Sequence, residues 1–143
     1  MKKKYLIVVA DYYKDIAKGL LDSALKLIPK SKEVKIIRVP GVFEIPVTIS
    51  KNIKKYDAFL ALGCVIKGQT PHFDFISQAS TNAIMDLSIL NKKPIGNGVI
   101  TCLSMKQAKV RRKKGAEAAD AVNSVLSQKW KLILIQKIIQ ELL

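Results

Sequence analysis

Short apolar runs alternate with amphipathic stretches along the whole chain. Tyr5-Leu6-Ile7-Val8-Val9-Ala10 is continuously apolar and rich in β-branched residues, the pattern of a strand buried on both faces. Asp15 to Ile28 carries Ile16, Leu20, Ala24, Leu25 and Ile28 near helical spacing, and Pro29 ends it. Val34 to Val39 mixes Val and Ile with Lys and Arg, which predicts a second strand nearer a sheet edge. Pro40-Gly41 signals a turn. A helix follows over Ile45 to Lys54, with Pro46 tolerated in its first turn.

Ala58 to Ile66 is the most apolar run and predicts a central strand. Lys67 to His72 reads as a loop with Gly and Pro. Asp74 to Leu90 has a helical pattern that places Ile76, Ala79, Ala83, Ile84 and Leu87 on one face. Pro94 to Thr101 predicts a fourth strand, interrupted by Gly96, Asn97 and Gly98. Met105 to Lys113 suits a short helix. From Gly115 the chain is Ala-rich, and a helix is expected to run to the end.

Strands alternating with helices across short connections mean a parallel sheet covered on both faces. The 143 residues and 15.9 kDa make one domain, residues 1–143. In such sheets ligands bind outside the carboxyl ends of the strands. Chemistry is therefore expected at Asp11-Tyr12-Tyr13, at Pro40 to Glu44, at Lys67 to Asp74, and from Thr101 onward.

Composition narrows the classes. Two cysteines, Cys64 and Cys102, give neither a disulfide framework nor a Cys-rich zinc site, and one histidine excludes any two-histidine site within the chain. No metal is expected. No apolar run is long enough to span a membrane. The apolar stretch after Lys2-Lys3-Lys4 stops at Asp11, too short for a secretory peptide. The cytoplasm is the expected compartment. Lys and Arg number 25 against 11 acids, a formal charge of +14, and such a surplus invites anionic partners.

Candidate chemistry starts at His72, whose unperturbed pKa lies near neutrality and which follows the central strand. Position alone suits a general acid/base and a helix-flanking surface residue equally. Gly63 to Thr70 has the spacing of a phosphate loop, but Gln69 stands where the essential Lys belongs, which removes a nucleotide-triphosphatase. Backbone N–H groups of Gly68 to Thr70 remain able to receive a single phosphate. Lys106, Lys109, Arg111, Arg112, Lys113 and Lys114 form a basic run. It reads as a solvated face, a phosphate site or a nucleic-acid patch. Only Trp130 lies near it as an aromatic, so interleaved base-stacking rings are not evident. Tyr12-Tyr13 and Phe43 are aromatics at strand ends. Phe43 also suits the core, and Tyr12 after Asp11 is harder to bury. Two aromatics at neighbouring strand ends can sandwich a planar ring, with Glu44 beside Phe43 able to accept hydrogen bonds from a ligand.

Together these residues carry a resemblance. Pro40-Gly41-Val42-Phe43-Glu44-Ile45-Pro46 resembles the P-G-[AV]-F-E-[IL]-P motif of the 6,7-dimethyl-8-ribityllumazine synthase family. Leu62 to Asp74 resembles its L-G-x-V-I-[RK]-G-E-T-x-H-[FY]-D motif. Pro94 to Thr101 with Gln107-Ala108, and Lys114 to Ala119, resemble its fourth strand and last helix. Order and spacing agree from about Tyr5 to Leu126. The resemblance implies a three-layer αβα, flavodoxin-like α/β fold with a four-stranded parallel sheet. It also implies condensation of 5-amino-6-(D-ribitylamino)uracil with 3,4-dihydroxy-2-butanone 4-phosphate, without cofactor. His72 matches the catalytic histidine. Tyr12 matches the aromatic that stacks on the pyrimidine. Val42, Phe43 and Glu44 match residues holding ribityl chain and pyrimidine, and Cys64, Val65 and Ile66 the strand end that reads pyrimidine edges. Gln69 and Thr70 match the phosphate loop. Arg111 matches the phosphate-binding arginine supplied by a neighbouring subunit, and Lys114 a lysine grouped with it. Asn97 falls at a substrate-binding position.

Gln69 stands where Glu is usual and Asn97 where Phe is common, and the interval from Arg111 to Lys114 is shorter than the usual form. The implied partners are the two small-molecule substrates and further copies of the chain, in a pentamer or a multiple of pentamers, with no nucleic acid and no membrane. Residues 130–143 match poorly and read as an atypical apolar helical tail packed on its own domain or a neighbour. Two other readings start from the departures and the charge. One is a relative that binds riboflavin-like ligands without turnover, and the other is a basic nucleic-acid-binding domain.

Overall fold

The computed structural model describes residues 2–128 and 130–143, with residues 130–134 described by their backbone alone. The side chains of Trp130, Leu132, Ile133 and Leu134, expected to be part of an apolar tail, lie outside the described residues.

All strands run parallel in the order β2-β1-β3-β4. β1 (Lys4–Ala10) and β3 (Ala58–Ile66) are interior, while β2 (Glu33–Val39) and β4 (Ile95–Cys102) are the edges. The composition of each strand follows its place. β1 is buried from Tyr5 to Ala10, whereas β2, with Lys35 and Arg38 among its residues, buries only Val39 fully. An interior parallel strand has helices over both faces and therefore no polar side.

Alternate residues of β1 serve two cores. Tyr5, Ile7 and Val9 join Leu60 and Leu62 of β3 beneath α1 (Lys14–Leu27) and α5 (Lys114–Leu126). Leu6, Val8 and Ala10 join Phe59 and Ala61 beneath α2 (Ile45–Asn52) and α3 (His72–Asn91). The result is the expected three-layer α/β fold. The glycines that interrupt β4 have a packing reason. A Cβ at Gly98 would press on Leu62 and Ala118, and one at Gly96 on the Ala118 carbonyl and on Val122. They let α5 lie directly on the edge strand, a close approach that outweighs the weak strand preference of glycine.

Three expectations are corrected. α3 begins at His72, so the histidine opens the helix and does not end a loop. Ala79 is exposed, because the inward face of α3 runs through Ile76, Ser80, Ile84 and Leu87. The last helix does not run on unbroken. α5 ends at Leu126, where the Ser127 amide bonds back to the Asn123 carbonyl at 3.0 Å and the Ser127 hydroxyl to the Ser124 carbonyl at 3.1 Å. α6 (Trp130–Leu142) is a separate helix on which Ile135, Ile138, Ile139 and Leu142 are exposed. Among the described residues no helix is long and apolar enough to cross a membrane.

Candidate functional site

From β1 the chain passes outward to β2 and then returns past β1 to β3, so the strand order reverses between β1 and β3. Their carboxyl ends diverge there and leave a cleft. The cleft has a volume of about 640 Å³. Three of the four segments expected to carry chemistry meet in it. Tyr12 and Tyr13 follow β1, Gly41 to Glu44 follow β2, and Cys64 to Ile66 end β3, with His72 and Ile76 entering from α3.

Burial divides the work. Val42 and Cys64 are buried and Val65 and Ile66 half-buried, so these offer a shaped apolar floor and strand-end backbone. Tyr12 is 75% exposed and Phe43 63%, two large rings left in the open at the rim. Apolar surface of that size beside a cleft marks a place where something flat is covered on binding. Glu44 is half-buried and closes the 3-10 turn Val42–Glu44, where its amide bonds to the Gly41 carbonyl at 3.2 Å and its carbonyl accepts the Thr48 hydroxyl at 2.8 Å. The turn is therefore fixed by backbone bonds, and the carboxylate remains for a ligand. His72 is exposed at the first turn of α3, within reach of a bound molecule.

Cys64 is poorly suited to act as a nucleophile. Burial pushes its thiol up to about 12, and the neighbouring Cys102 adds to the shift. Thiolate is the reactive form, so a thiol held neutral is part of the floor.

The remaining sequence-predicted residues lie elsewhere. Gln69 and Thr70 sit on the exposed loop leading into His72, and that loop is anchored by the Lys67 amide bonding to the Cys102 carbonyl at 2.9 Å. Asn97 is exposed on β4, where its side-chain oxygen accepts the Val99 amide at 3.1 Å. Arg111 and Lys114 line a separate hollow of about 440 Å³ beside β4, with Thr101 and Glu117. One chain thus brings together Tyr12, Val42, Phe43, Glu44, Cys64, Val65, Ile66 and His72. It does not bring Asn97, Gln69, Thr70, Arg111 or Lys114 into the same cleft.

The two adjacent arginines differ in a way their sequence does not show. Arg112 donates from Nη1 to Asp15 at 3.0 Å and from Nε to the Lys109 carbonyl at 3.0 Å, and its aliphatic stem lies over Gly19. Arg111 is exposed, and its side chain makes no ion pair or hydrogen bond among the described residues. Lys114 pairs with Glu117 at 2.7 Å. Of the cleft residues, Tyr13, Gly41 and Ile76 carried no assigned site role in the sequence. Ile76 was findable, since it lies one helical turn after His72 on the same face.

The family model described as 6,7-dimethyl-8-ribityllumazine synthase matches residues 2–129. The 6,7-dimethyl-8-ribityllumazine synthase of Methylorubrum extorquens (strain PA1) is 41% identical over 139 residues, covering 88% of this chain and 80% of its own. 6,7-dimethyl-8-ribityllumazine synthase 1 of Rhodopseudomonas palustris is 40% identical over 142 residues, with 90% and 87% covered. The enzyme of that name from Cutibacterium acnes is 39% identical over 133 residues, with 87% and 80% covered. The agreement of motif, sheet order and matched length leads to one assignment: the chain belongs to the 6,7-dimethyl-8-ribityllumazine synthase family.

Proposed function

We propose that the chain catalyses the reaction of its family. It condenses 5-amino-6-(D-ribitylamino)uracil with 3,4-dihydroxy-2-butanone 4-phosphate, giving 6,7-dimethyl-8-ribityllumazine, phosphate and water in riboflavin biosynthesis. The observation that carries this is the meeting of Tyr12, Phe43, the end of β3 and His72 in one cleft at the sheet's reversal point. The pyrimidine lies against Tyr12, with its edges on the backbone of Cys64 to Ile66. The ribityl chain runs along the Val42–Glu44 turn. The amine of the pyrimidine attacks the ketone and loses water to give an imine, phosphate leaves, and the ribityl-bearing nitrogen closes the ring with loss of a second water. Each step moves protons, and the residue we assign to take and return them is His72, exposed at the opening of α3. Holding the two reactants in register removes much of the entropic barrier.

Phosphate is received by the Gln69-Thr70 loop together with Arg111 and Lys114 of a second copy. Arg111 faces away from its own cleft, in the hollow beside β4, which supports a site completed between subunits. The outward side of α3, with Phe75, Met85, Ile89 and Leu90 exposed, is more apolar than a free helix face should be. The assembly we propose is a pentamer or a multiple of pentamers. The partners are the two small substrates, not nucleic acid or a lipid surface, and the compartment is the cytoplasm, consistent with two free cysteines.

The test is lumazine formation, followed by its absorbance, with wild type and His72→Ala. Loss of the proton shuttle is expected to lower kcat by about 10²–10⁴-fold, leaving a residual rate from positioning. No lumazine from folded wild-type protein sinks the proposal. Light scattering on the same sample is expected to give at least five times the 15.9 kDa chain mass.

A further inference from the structure

Tyr13 touches Tyr12 edge-on, with ring centroids 4.9 Å apart and planes at 78°. The two rings have different surroundings. Tyr12 is 75% exposed, whereas Tyr13 is partly buried and packs against the core shared by β1, β3, α1 and α5. Both line the cleft. Tyr13 is also the residue that caps the start of α1, and its carbonyl accepts the Ala17 amide at 2.9 Å. Its backbone is therefore fixed by the helix and its ring by the core.

An exposed ring on a strand end has several rotamers, and a platform for a flat ligand needs one. Freezing a loose side chain on binding lowers affinity, and a site held in place beforehand avoids that loss. Edge-to-face contact is a favoured geometry for two rings. Among the described residues, Tyr13 is the ring against which Tyr12 stands.

We infer that Tyr13 is a positioning residue for the pyrimidine substrate: its core-anchored ring holds the Tyr12 ring edge-on, so that the face of Tyr12 is presented to the heterocycle before it binds. The inference rests on the proposed function of the cleft and adds a specificity device to it. It acts through Tyr12 alone. Its effect is confined to the flat substrate and spares the phosphorylated one.

The experiment is a double-mutant cycle read as KM for each substrate and Kd for the lumazine product. Tyr13→Leu keeps apolar volume in the core and removes the ring against which Tyr12 stands. It is expected to raise KM for the pyrimidine and Kd for the lumazine by about three- to tenfold, with KM for the phosphorylated substrate and kcat nearly unchanged. Tyr13→Phe keeps the ring and is expected to match wild type. In a Tyr12→Ala background Tyr13→Leu is expected to add nothing. Equal effects of Tyr13→Leu with and without Tyr12, or a loss in Tyr13→Phe, overturn the inference. The second result would mean that the hydroxyl contacts the ligand directly. Should Tyr13→Leu not fold, Tyr13→Phe still decides, and Tyr13→Met repeats the ring deletion. If Tyr12→Ala itself leaves pyrimidine binding unchanged, it is the reading of the cleft that fails, a result distinct from failure of the Tyr13 contact.

Discussion

Replacing Arg111 and Arg112 by alanine, one at a time, separates two functions that sequence adjacency hides. Arg112 is a structural group. Its ion pair with Asp15 is partly exposed on both sides, at 40% and 68%. An exposed pair of this kind contributes up to about 1 kcal/mol before salt screening. The Nε bond to the Lys109 carbonyl and the stem packed over Gly19 add to that. Arg112→Ala is expected to cost about 1–2 kcal/mol of stability and to loosen the turn between α4 (Met105–Val110) and α5. Arg111→Ala is expected to leave the fold's stability unchanged, since its side chain is exposed and makes no ion pair or hydrogen bond among the described residues. If Arg111 grips substrate phosphate, its loss removes a charge-assisted bond of about 1.5–3 kcal/mol. By the conversion of 1.4 kcal/mol per tenfold, that is about a 10- to 150-fold rise in KM for the phosphorylated substrate. KM for the pyrimidine should barely move. Steady-state kinetics with each substrate varied in turn, beside urea unfolding of both variants, gives the answer. A large, phosphate-specific KM effect in Arg112→Ala together with a silent Arg111→Ala would refute the assignment.

Two further predictions follow from packing and titration. At Gly115 a Cβ would overlap the Leu20 carbonyl and approach the Ser23 hydroxyl to 2.7 Å, so Gly115→Val should force α1 and α5 apart. We expect a loss of about 1–3 kcal/mol in chemical denaturation, and an unchanged midpoint would disprove the close approach. Cys64 keeps its proton in the folded state up to about 12, against 9.0 as the ordinary value. Between those values the unfolded chain has lost the proton and the folded chain has not, so stability falls as pH rises through that window. Cys64→Ala should remove this part of the alkaline decline, and alkylation of Cys64 in the folded protein at pH 8 should be slow beside that of the urea-unfolded chain.

The parts of the fold legible in the sequence are those where one physical demand dominates. Burial on both faces leaves no choice but an apolar run, and β1 and β3 were plain for that reason. Exposed positions on both of its faces let Lys35 and Arg38 into β2, which marked it as an edge. β4 was harder, because Gly96 and Gly98 answer the close approach of α5 and not any preference of the strand itself. The end of α5 had no Gly or Pro to mark it. There the Ser127 amide makes a helical bond to the Asn123 carbonyl, and the Gln128 amide then turns to the Val125 carbonyl at 3.2 Å, a tightened turn that a periodicity cannot show. The cleft was legible because its residues sit directly after strands, where chain position and chemistry coincide. Tyr13 lay in an expected segment but had no role of its own, because a core-packed ring and a ligand-facing ring are the same letter. The separation of Arg111 from the cleft was not legible either, since only the order of strands reveals that β4 is an edge.

The surplus of +14 looks different once the basic run is resolved into side chains. Arg112 is bound to Asp15 and Lys114 to Glu117, so two of the run's charges have acidic partners within the chain. Arg111 stands apart beside Thr101 at the β4 edge. A nucleic-acid stripe needs repeated unengaged cations, with rings between them to stack on bases. In the basic run Lys106, Lys109, Arg111 and Lys113 have no side-chain partner among the described residues. But no ring lies between these cations, and the exposed rings Tyr12 and Phe43 lie in the cleft instead. The absence of interleaved rings fits the discrete phosphate proposed above better than a polymer. It also sets a condition on assembly, because every copy added to an oligomer adds its own net charge. Interfaces must then be apolar or place anions between the cations. In the assembly we propose, the apolar outer side of α3 would meet the first requirement, and substrate phosphate gripped by Arg111 at a subunit boundary would meet the second. On this argument ligand and assembly are linked: phosphate at saturating concentration should stabilise the oligomer, and high salt without phosphate should not substitute for it.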